Sequence, residues 1–213
     1  DLTRIQDVVN KHRPGYALTF SAPKSVAMLA MLGGDKRLID AHNRAVTVAL
    51  NQVESLASTR VKRDGVSETV LTGNLIIARF NHDTSRAQDP QIHTHSVVIN
   101  ATQNGDKWQT LASDTVGKTG FSENILANRI ALGKIYQNSL RADVESMGYK
   151  TVDAGKNGMW EMEGVPVESF STRSQELREA AGPDASLKSR DVAALDTRKS
   201  KEAIDPAEKM VEW

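Results

Sequence analysis

The 213-residue sequence contains no cysteine. This absence excludes disulfides, thiolate metal sites and cysteine nucleophiles, and it leaves histidine and carboxylate side chains as the candidate ligands for a transition metal. Long hydrophobic runs are missing as well, since the longest wholly apolar stretch, Val26 to Leu32, is far too short to cross a bilayer. The start of the chain lacks the features of a signal peptide. We therefore expect a soluble protein without membrane insertion, and the lack of cysteine fits a reducing cytoplasm.

The sequence also lacks a net charge, because 27 basic residues balance 27 acidic ones. No global field attracts polyanions, so any contacts with nucleic acid must be local and organised. The composition, 39% hydrophobic and 25% charged, is ordinary for a globular protein with a sizeable core. There is no initiator methionine, and the helix that Asp205 and Pro206 open has run for only about two turns at Trp213. From both ends we expect a fragment of a longer polypeptide.

Three of the five histidines are concentrated in one stretch, from Phe80 to Asn100. His93 and His95 belong to a β-branched run, which predicts a strand with both side chains on the same face. His82 closes an earlier strand-like run, and a connection rich in Asp, Ser, Gln and Pro would bring it back beside the pair. This spacing is typical of a metal site, so we predict that the functional site of the protein lies here.

Three neutral imidazoles would hold a divalent cation without cancelling its charge, and they would leave coordination positions open. Such an ion is a Lewis acid that polarises a carbonyl, lowers the pKa of a bound water or grips phosphate oxygens. The spacing alone does not choose among these reactions. The alternative is that the three histidines are ordinary surface or core residues, as we expect for His42 on a helix.

The hydrophobic periodicity predicts helices together with an antiparallel sheet, which is an α+β fold. Asn104-Gly105 suits the positive φ angles of a type I′ hairpin turn. The predicted strands are residues 16–21, 75–81 and 92–99, the predicted hairpins are 60–71 and 149–162, and the predicted helices are 26–32, 36–56, 123–147, 174–181 and 190–195. We expect residues 1–170 to form the core with the metal site. Residues 171–213 contain few large apolar side chains, so we expect a mobile helical segment and the start of a truncated helix.

Four stretches of the sequence resemble one known family: Leu18 to Val26, Phe80 to Arg86, Gln91 to His95 and Ser186 to Val192. They are similar to the relaxases of conjugative plasmids, HUH-type nucleases in which relaxase and helicase share one polypeptide, and above all to the F-type relaxases. The resemblance runs through nearly the whole chain. It implies a palm-like antiparallel sheet, with mobile helical fingers that close over single-stranded DNA at a plasmid origin of transfer.

The resemblance also implies an enzyme, a DNA strand transferase or nickase with topoisomerase-like chemistry. In this family a tyrosine hydroxyl attacks the scissile phosphate and leaves a 5′-phosphotyrosine and a free 3′-hydroxyl, and the reaction reverses to rejoin the strand. One divalent ion, held by His82, His93 and His95, would orient and polarise that phosphate. The family implies magnesium or manganese, whereas three histidines also suit zinc, nickel or cobalt.

The partners that the resemblance implies are the single-stranded origin DNA, a helicase region in the parent polypeptide, accessory proteins of the relaxosome and the transfer machinery. The implied compartment is the cytoplasm of a bacterial donor cell.

Two features depart from the family pattern. The family nucleophile belongs to a cluster of tyrosines ahead of the strand that begins here at Tyr16, and none of Tyr16, Tyr136 and Tyr149 matches it. We expect all three to be packing residues, the N-terminal segment to be missing and this fragment to bind DNA without cleaving it. The second departure is Ala17, where the family carries an aspartate that could orient a histidine or take the proton of the attacking tyrosine. An alanine on this polar face is consistent with an engineered substitution, and natural drift is the alternative.

Placed contacts rather than a basic surface should bind the DNA. Arg129 and Gln137 lie eight residues apart on one helix, and we expect them to share a face and read bases. The full set of candidate contacts is Lys24, Arg86, Lys118, Arg129, Gln137, Lys188, Arg190, Arg198, Lys199 and Lys201. For any one of them a solvated surface position is the competing interpretation.

Two other functions remain open. The chain could be a non-catalytic module that binds single-stranded DNA, or a metal-dependent phosphohydrolase that uses an activated water. The hydrolase predicts steady hydrolysis without any tyrosine. The relaxase predicts a covalent adduct between protein and DNA only when the tyrosine segment is present.

Overall fold

The computed structural model describes residues 5–6, 9–10, 13–85, 87–114 and 116–182. They form the expected α+β fold of helices and antiparallel strands. The strands are β1 (Ile5–Gln6), β2 (Val9–Asn10), β3 (Gly15–Ser21), β4 (Ser58–Arg63), β5 (Val66–Leu71), β6 (Ile77–Thr84), β7 (Pro90–Ile99), β8 (Thr102–Asn104), β9 (Lys107–Gln109), β10 (Thr151–Asp153) and β11 (Trp160–Met162). The helices are α1 (Lys24–Met31), α2 (Arg37–Ser55), α3 (Phe121–Ser146) and α4 (Thr172–Ala181), with a 3₁₀ turn at Val167–Phe170. No helix in the described part of the chain is long and apolar enough to cross a membrane.

The predicted elements agree with these bounds to within a few residues. One difference concerns the site, because β6 continues past residue 81 to Thr84 and so includes His82 within the strand. The predicted helix at 190–195 lies outside the described residues, and so does most of the predicted mobile segment. The boundary at residue 170 stays a prediction.

The strand β7 is the middle strand of a three-stranded sheet with the order β3-β7-β6. Residues 90, 92, 94, 96 and 98 of this strand are buried, and residues 91, 93, 95 and 97 are half-buried. Alternation of this kind follows from the pleat, which turns successive side chains to opposite faces. It confirms that His93 and His95 project from the same, more accessible face. In contrast, β6 lies at the sheet edge and is mostly exposed.

Two hairpins of the first unit have turns with positive φ angles. In the β4–β5 hairpin, Arg63 pairs with Val66 across Asp64 and Gly65, which have φ angles of 50° and 83°. Two positive φ angles are what a type I′ turn requires. In the β8–β9 hairpin, Asn104 pairs with Lys107, so the turn residues are Gly105, with φ of 59°, and Asp106. The hairpin is confirmed, but its glycine occupies the first central position, as in a type II′ turn, and not the second as predicted.

Contacts divide the chain into two compact units. The first unit consists of Asp1–Phe20, Asn43–Asn81 and Thr94–Ala142, and the second consists of Ser21–His42, His82–His93 and Asp143–Trp213. In the first unit the ring of Phe20 packs against that of Tyr136, with the centroids 5.5 Å apart. The second unit buries Val26, Ala27 and Trp160 almost completely. Each unit therefore has its own apolar core.

The start of α1 is fixed within the second unit by a carboxylate from the hairpin β10–β11. Glu161 accepts hydrogen bonds from the backbone N–H groups of Lys24 and Ser25, at 3.3 and 2.8 Å, and from the Ser25 hydroxyl. The backbone N–H of Met162 in turn donates to Ser25 Oγ at 2.8 Å. The first N–H groups of a helix have no partners inside the helix, so this carboxylate acts as its cap.

Candidate functional site

Two of the three clustered histidines lie in the second unit and stack on each other. The ring centroids of His82 and His93 are 5.1 Å apart and their planes differ by 18°. His93 Nδ1 lies 2.9 Å from the backbone oxygen of Gln91. Because a carbonyl oxygen only accepts hydrogen bonds, Nδ1 of a neutral His93 carries the hydrogen and Nε2 keeps the lone pair. Histidines that ligate metals commonly show this arrangement, with one ring nitrogen donating to a carbonyl and the other binding the ion.

The third histidine, His95, lies in the first unit. Its Nδ1 is 3.0 Å from the hydroxyl oxygen of Thr19, on β3. A hydroxyl can donate or accept, so this contact allows either tautomer of the ring. When Thr19 accepts, Nδ1 of His95 is the donor and Nε2 is unprotonated, as in His93.

The metal site was predicted from all three histidines. Among the described residues, no group of three or more histidine, aspartate or glutamate side chains is arranged to hold a metal ion. His95 belongs to a different unit from His82 and His93, so the three-histidine site stays a prediction. The donor set fits a divalent transition metal in its chemistry, because the Nδ1 atoms of His93 and His95 both have hydrogen-bond partners. His42 is completely buried, so it is a core residue, one of the two roles expected for it.

The β3 strand presents a small polar face beside this region. Ala17, Thr19 and Ser21 are exposed, whereas Phe20 is buried. This alternation confirms that residue 17 shares a face with Thr19, as the period of two predicts. A carboxylate at position 17 would therefore stand two residues from the hydroxyl that contacts His95.

A pocket of about 470 Å³ opens in the first unit between the start of β3 and the first turns of α3. Leu18 and Leu126 contribute to its apolar wall, Arg13 and Arg129 add two guanidinium groups, and Glu123 adds one carboxylate. The guanidinium of Arg13 lies 5.3 Å above the ring of Tyr16, which also lines the pocket. Apolar and aromatic walls beside positive charges suit a nucleotide, because bases stack on such walls and phosphates pair with the cations.

The three tyrosines differ in their surroundings. Tyr136 is 2% exposed, and burial raises the pKa of its hydroxyl. Tyr149 donates a 2.7 Å hydrogen bond to Asp35, and this bond raises the pKa of the tyrosine. Tyr16 packs edge-on against Phe121, with the centroids 5.6 Å apart. Contacts of this kind are typical of packing residues, and the absence of the nucleophile from this chain stays a prediction.

The candidate DNA contacts separate into several groups. Lys118 and Arg129 are exposed. Lys24 is half-buried, its Nζ donates to the backbone oxygen of Pro90 at 2.8 Å, and burial lowers its pKa against the attraction of Asp89 and Glu161. The remaining cationic candidates, Arg86, Lys188, Arg190, Arg198, Lys199 and Lys201, lie outside the described residues.

The structure corrects the expectation that Arg129 and Gln137 share an exposed face of α3. Gln137 is only 6% exposed, whereas Arg129 is at the surface. Eight residues of α-helix are about 2.2 turns, which leaves the two side chains about 80° apart around the axis. Gln137 therefore turns into the protein together with its neighbour Tyr136.

Three residues of the first unit, two in contact with the histidine strand and one in the pocket, were not predicted from the sequence. They are Thr19, Arg13 and Asn81, which precedes His82. Thr19 carried a weak signal, since it shares the strand face of Ala17. Arg13 and Asn81 carried none, because their contacts depend on strand register and helix position.

The comparisons with known proteins agree on one family. A family model of the TrwC relaxase matches residues 2–213. The multifunctional conjugation protein TraI of Escherichia coli is 73% identical over 213 residues, which are 100% of this chain and 12% of TraI. The chain thus spans about an eighth of the length of that relative.

Solved structures of TrwC show the same fold. A metal-bound structure of the conjugative relaxase TrwC in complex with oriT DNA matches with a TM-score of 0.85 and 32% identity, over 98% of this chain and 72% of that one. TrwC complexed with a 27-mer DNA that comprises the recognition hairpin and the cleavage site matches with a TM-score of 0.86 and 32% identity, over 98% of this chain and 74% of that one.

Proposed function

The chain belongs to the TrwC relaxase family, and from this premise we propose that it is the DNA-processing domain of a conjugation protein. Its reaction is the nicking and rejoining of one strand at a plasmid origin of transfer. The observation that carries the proposal is the pair of tethered histidines on β7, His93 and His95, within a chain that matches the family over residues 2–213.

The proposed chemistry is a transesterification. A tyrosine oxygen attacks the scissile phosphorus, a bond forms between tyrosine and phosphate, and the bond to the 3′-oxygen breaks. The tyrosine proton passes to a base, and the departing 3′-oxyanion takes up a proton to become a hydroxyl. No water is consumed, so no net hydrolysis occurs. The same steps in reverse rejoin the strand. Burial and hydrogen bonding of Tyr136 and Tyr149 support a tyrosine from outside residues 1–213 as the attacking group.

One divalent ion would be held by His82, His93 and His95. The ion would supply positive charge next to the phosphate oxygens, where negative charge develops in the reaction. The residues of this chain orient the imidazoles through Gln91 and Thr19. Magnesium or manganese is the proposed working ion, and three nitrogen ligands are also compatible with zinc, nickel or cobalt. The metal-bound TrwC structure supports a metal in this family.

Single-stranded DNA of the origin would lie across the pocket beside Ala17. Arg13 and Arg129 would pair with phosphates, and Tyr16 with Leu126 would contact a base. We retain the other exposed or partly exposed cations, Lys24 and Lys118, as contacts. The candidates outside the described residues, Arg86, Lys188, Arg190, Arg198, Lys199 and Lys201, remain in the set as well.

The proposed setting is the cytoplasm of a bacterial donor cell. The partners there are a helicase region of the parent polypeptide, accessory proteins of the relaxosome and the transfer machinery. The short share of TraI that this chain spans supports such a larger parent.

The decisive experiment compares this chain with the longer polypeptide that includes the family tyrosines. Both are incubated with labelled origin single strands and Mn²⁺, and denaturing gels are searched for a covalent adduct. We expect an adduct from the longer protein only, and binding without cleavage from the 213-residue chain. Steady hydrolysis by this chain would instead favour the phosphohydrolase. Binding without an adduct from either protein would favour the non-catalytic module.

A further inference from the structure

We propose that Thr19 is a positioning residue for His95: its hydroxyl accepts a hydrogen bond from Nδ1 and thereby holds the ring with Nε2 unprotonated and directed to a metal ion. The proposal deepens the proposed function and rests on its metal site. It concerns two residues of the same unit, and the distance that carries it is the 3.0 Å between Thr19 Oγ1 and His95 Nδ1.

The two residues meet across neighbouring strands. Thr19 lies on β3 and His95 on β7, and these strands are adjacent in the three-stranded sheet. Both side chains lie on the more accessible face of their strands, since Thr19 is exposed and His95 is half-buried between the fully buried Thr94 and Ser96. The β-branch of threonine restricts its χ1 torsion, so the hydroxyl has few positions relative to the backbone. The strand pairing brings one of these positions within 3.0 Å of the ring.

A hydrogen bond to Nδ1 defines the tautomer of the neighbouring histidine, His93. Its Nδ1 faces the backbone oxygen of Gln91 at 2.9 Å, and a carbonyl can only accept, so the tautomer of His93 is defined. If Nδ1 of both His93 and His95 is occupied by a hydrogen bond, both rings must bind a shared ion through Nε2. The Thr19 hydroxyl can complete this pattern for His95, because it is able to accept. A hydroxyl can also donate, so the direction of the hydrogen bond between Thr19 and His95 is a property that can be measured.

Ala17 adds weight to the role of Thr19. The residue at position 17 shares the exposed face of β3 with Thr19, and an alanine there offers no atom that could hold an imidazole. In this chain the hydroxyl at position 19 is therefore the β3 side chain that contacts His95 on this face, and it can orient the ring. Removal of a hydrogen-bond partner of a metal-ligating histidine typically weakens metal affinity by about 10- to 100-fold.

The first test reads the tautomer directly. The chain is labelled with ¹⁵N-histidine, and long-range ¹H–¹⁵N correlations are recorded without metal at about pH 8, where free imidazoles are neutral. A His95→Gln variant assigns the signals. We expect protonated Nδ1 and unprotonated Nε2 at His95, and a shift of the population toward protonated Nε2 in Thr19→Val, which keeps the shape of threonine without the hydroxyl. A protonated Nε2 in the unchanged chain would overturn the proposal.

The second test measures Mn²⁺ affinity by isothermal titration calorimetry. Thr19→Val should weaken binding about 10-fold or more, and Thr19→Ser, which restores a hydroxyl, should recover most of it. Thr69→Val is the control, because it removes a hydroxyl from another exposed strand position. Equal affinities for Thr19→Val and the unchanged chain would overturn the role of Thr19. If the unchanged chain binds no Mn²⁺, the metal site itself fails, whereas the tautomer measurement still decides what Thr19 does.

Discussion

A side-chain clamp between β6 and β7 should hold the register of the two strands that carry the histidines. Asn81 Oδ1 accepts a 2.7 Å hydrogen bond from the hydroxyl of Thr94, which is completely buried. Asn81 Nδ2 donates to Asn43 Oδ1 on α2 at 2.9 Å. Asn81 directly precedes His82, and Thr94 stands between His93 and His95. Removal of this clamp should therefore affect both stability and metal binding.

The magnitude follows from the number of bonds lost. A typical hydrogen bond contributes a net of about 1 kcal/mol. Asn81→Ala loses two, so we expect a cost of about 2 kcal/mol, and Thr94→Val loses one, for a cost of about 1 kcal/mol. The double variant should cost about 2 kcal/mol rather than about 3 kcal/mol, because the shared bond is lost once, which is a coupling of about 1 kcal/mol. For a chain of this size each 1 kcal/mol lowers the Tm by about 2–4 °C.

Thermal unfolding followed by circular dichroism measures all four chains. We expect the double variant to melt close to Asn81→Ala. Additive losses would refute the clamp, since residues that do not interact show no coupling. The same variants should bind Mn²⁺ more weakly. Asn104→Ala is the matched control, because it removes an asparagine that donates to Gln109 in a different hairpin and should leave Mn²⁺ affinity unchanged.

Three further predictions concern other parts of the molecule. Glu161→Ala removes the acceptor for the Ser25 hydroxyl and for two N–H groups of α1, so it should lower stability by about 2 kcal/mol and the Tm by about 4–8 °C. Glu161→Gln keeps an acceptor oxygen and should lower the Tm less. Equal decreases in Tm for the two variants would contradict the cap. Hydrogen bonds from Arg37 and then Tyr149 hold the pKa of Asp35 below its usual range. The stabilisation from Asp35 is therefore present above about pH 4 and is lost as the pH falls further. The difference in Tm between the unchanged chain and Asp35→Asn should shrink as the pH is lowered toward about pH 2. A difference that stays constant with pH would contradict this prediction. In the longer polypeptide with the family tyrosines, Ala17→Asp should speed single-turnover DNA cleavage by about 100-fold, and equal rates would remove the carboxylate from the mechanism.

The sequence predicted what depends on local periodicity. Period-two alternation was enough to place His93 and His95 on one face of β7 and Ala17 beside Thr19. Helix and hairpin bounds followed equally well from capping residues and turns. The contact between Thr19 and His95 could not be predicted, because it joins residues 76 positions apart and depends on strand register.

The misplacement of Gln137 has a different cause. Spacings of three, four or seven bring helical side chains onto one face, but eight residues rotate the side chain by about 80°. That rotation carries Gln137 from the side of exposed Arg129 to a position that is 6% exposed. Which face of α3 is buried depends on the tertiary packing of Tyr136 against Phe20, and the sequence near Gln137 does not define this.

The buried face of β7 explains why the site needs its polar supports. A central strand is ordinarily lined by apolar residues, yet Thr94 and Ser96 are completely buried beneath the histidine face. Thr94 is compensated by Asn81, whereas Ser96 Oγ has no hydrogen-bond partner among the described residues. A buried hydroxyl without a partner costs about 1–3 kcal/mol, and valine would fit such a strand without that cost. The strand thus gives up stability at the positions next to its histidines, as functional sites commonly do. The hydrogen bond that Thr94 donates to Asn81 and the contact of His95 with Thr19 limit the movement that this loss would otherwise allow.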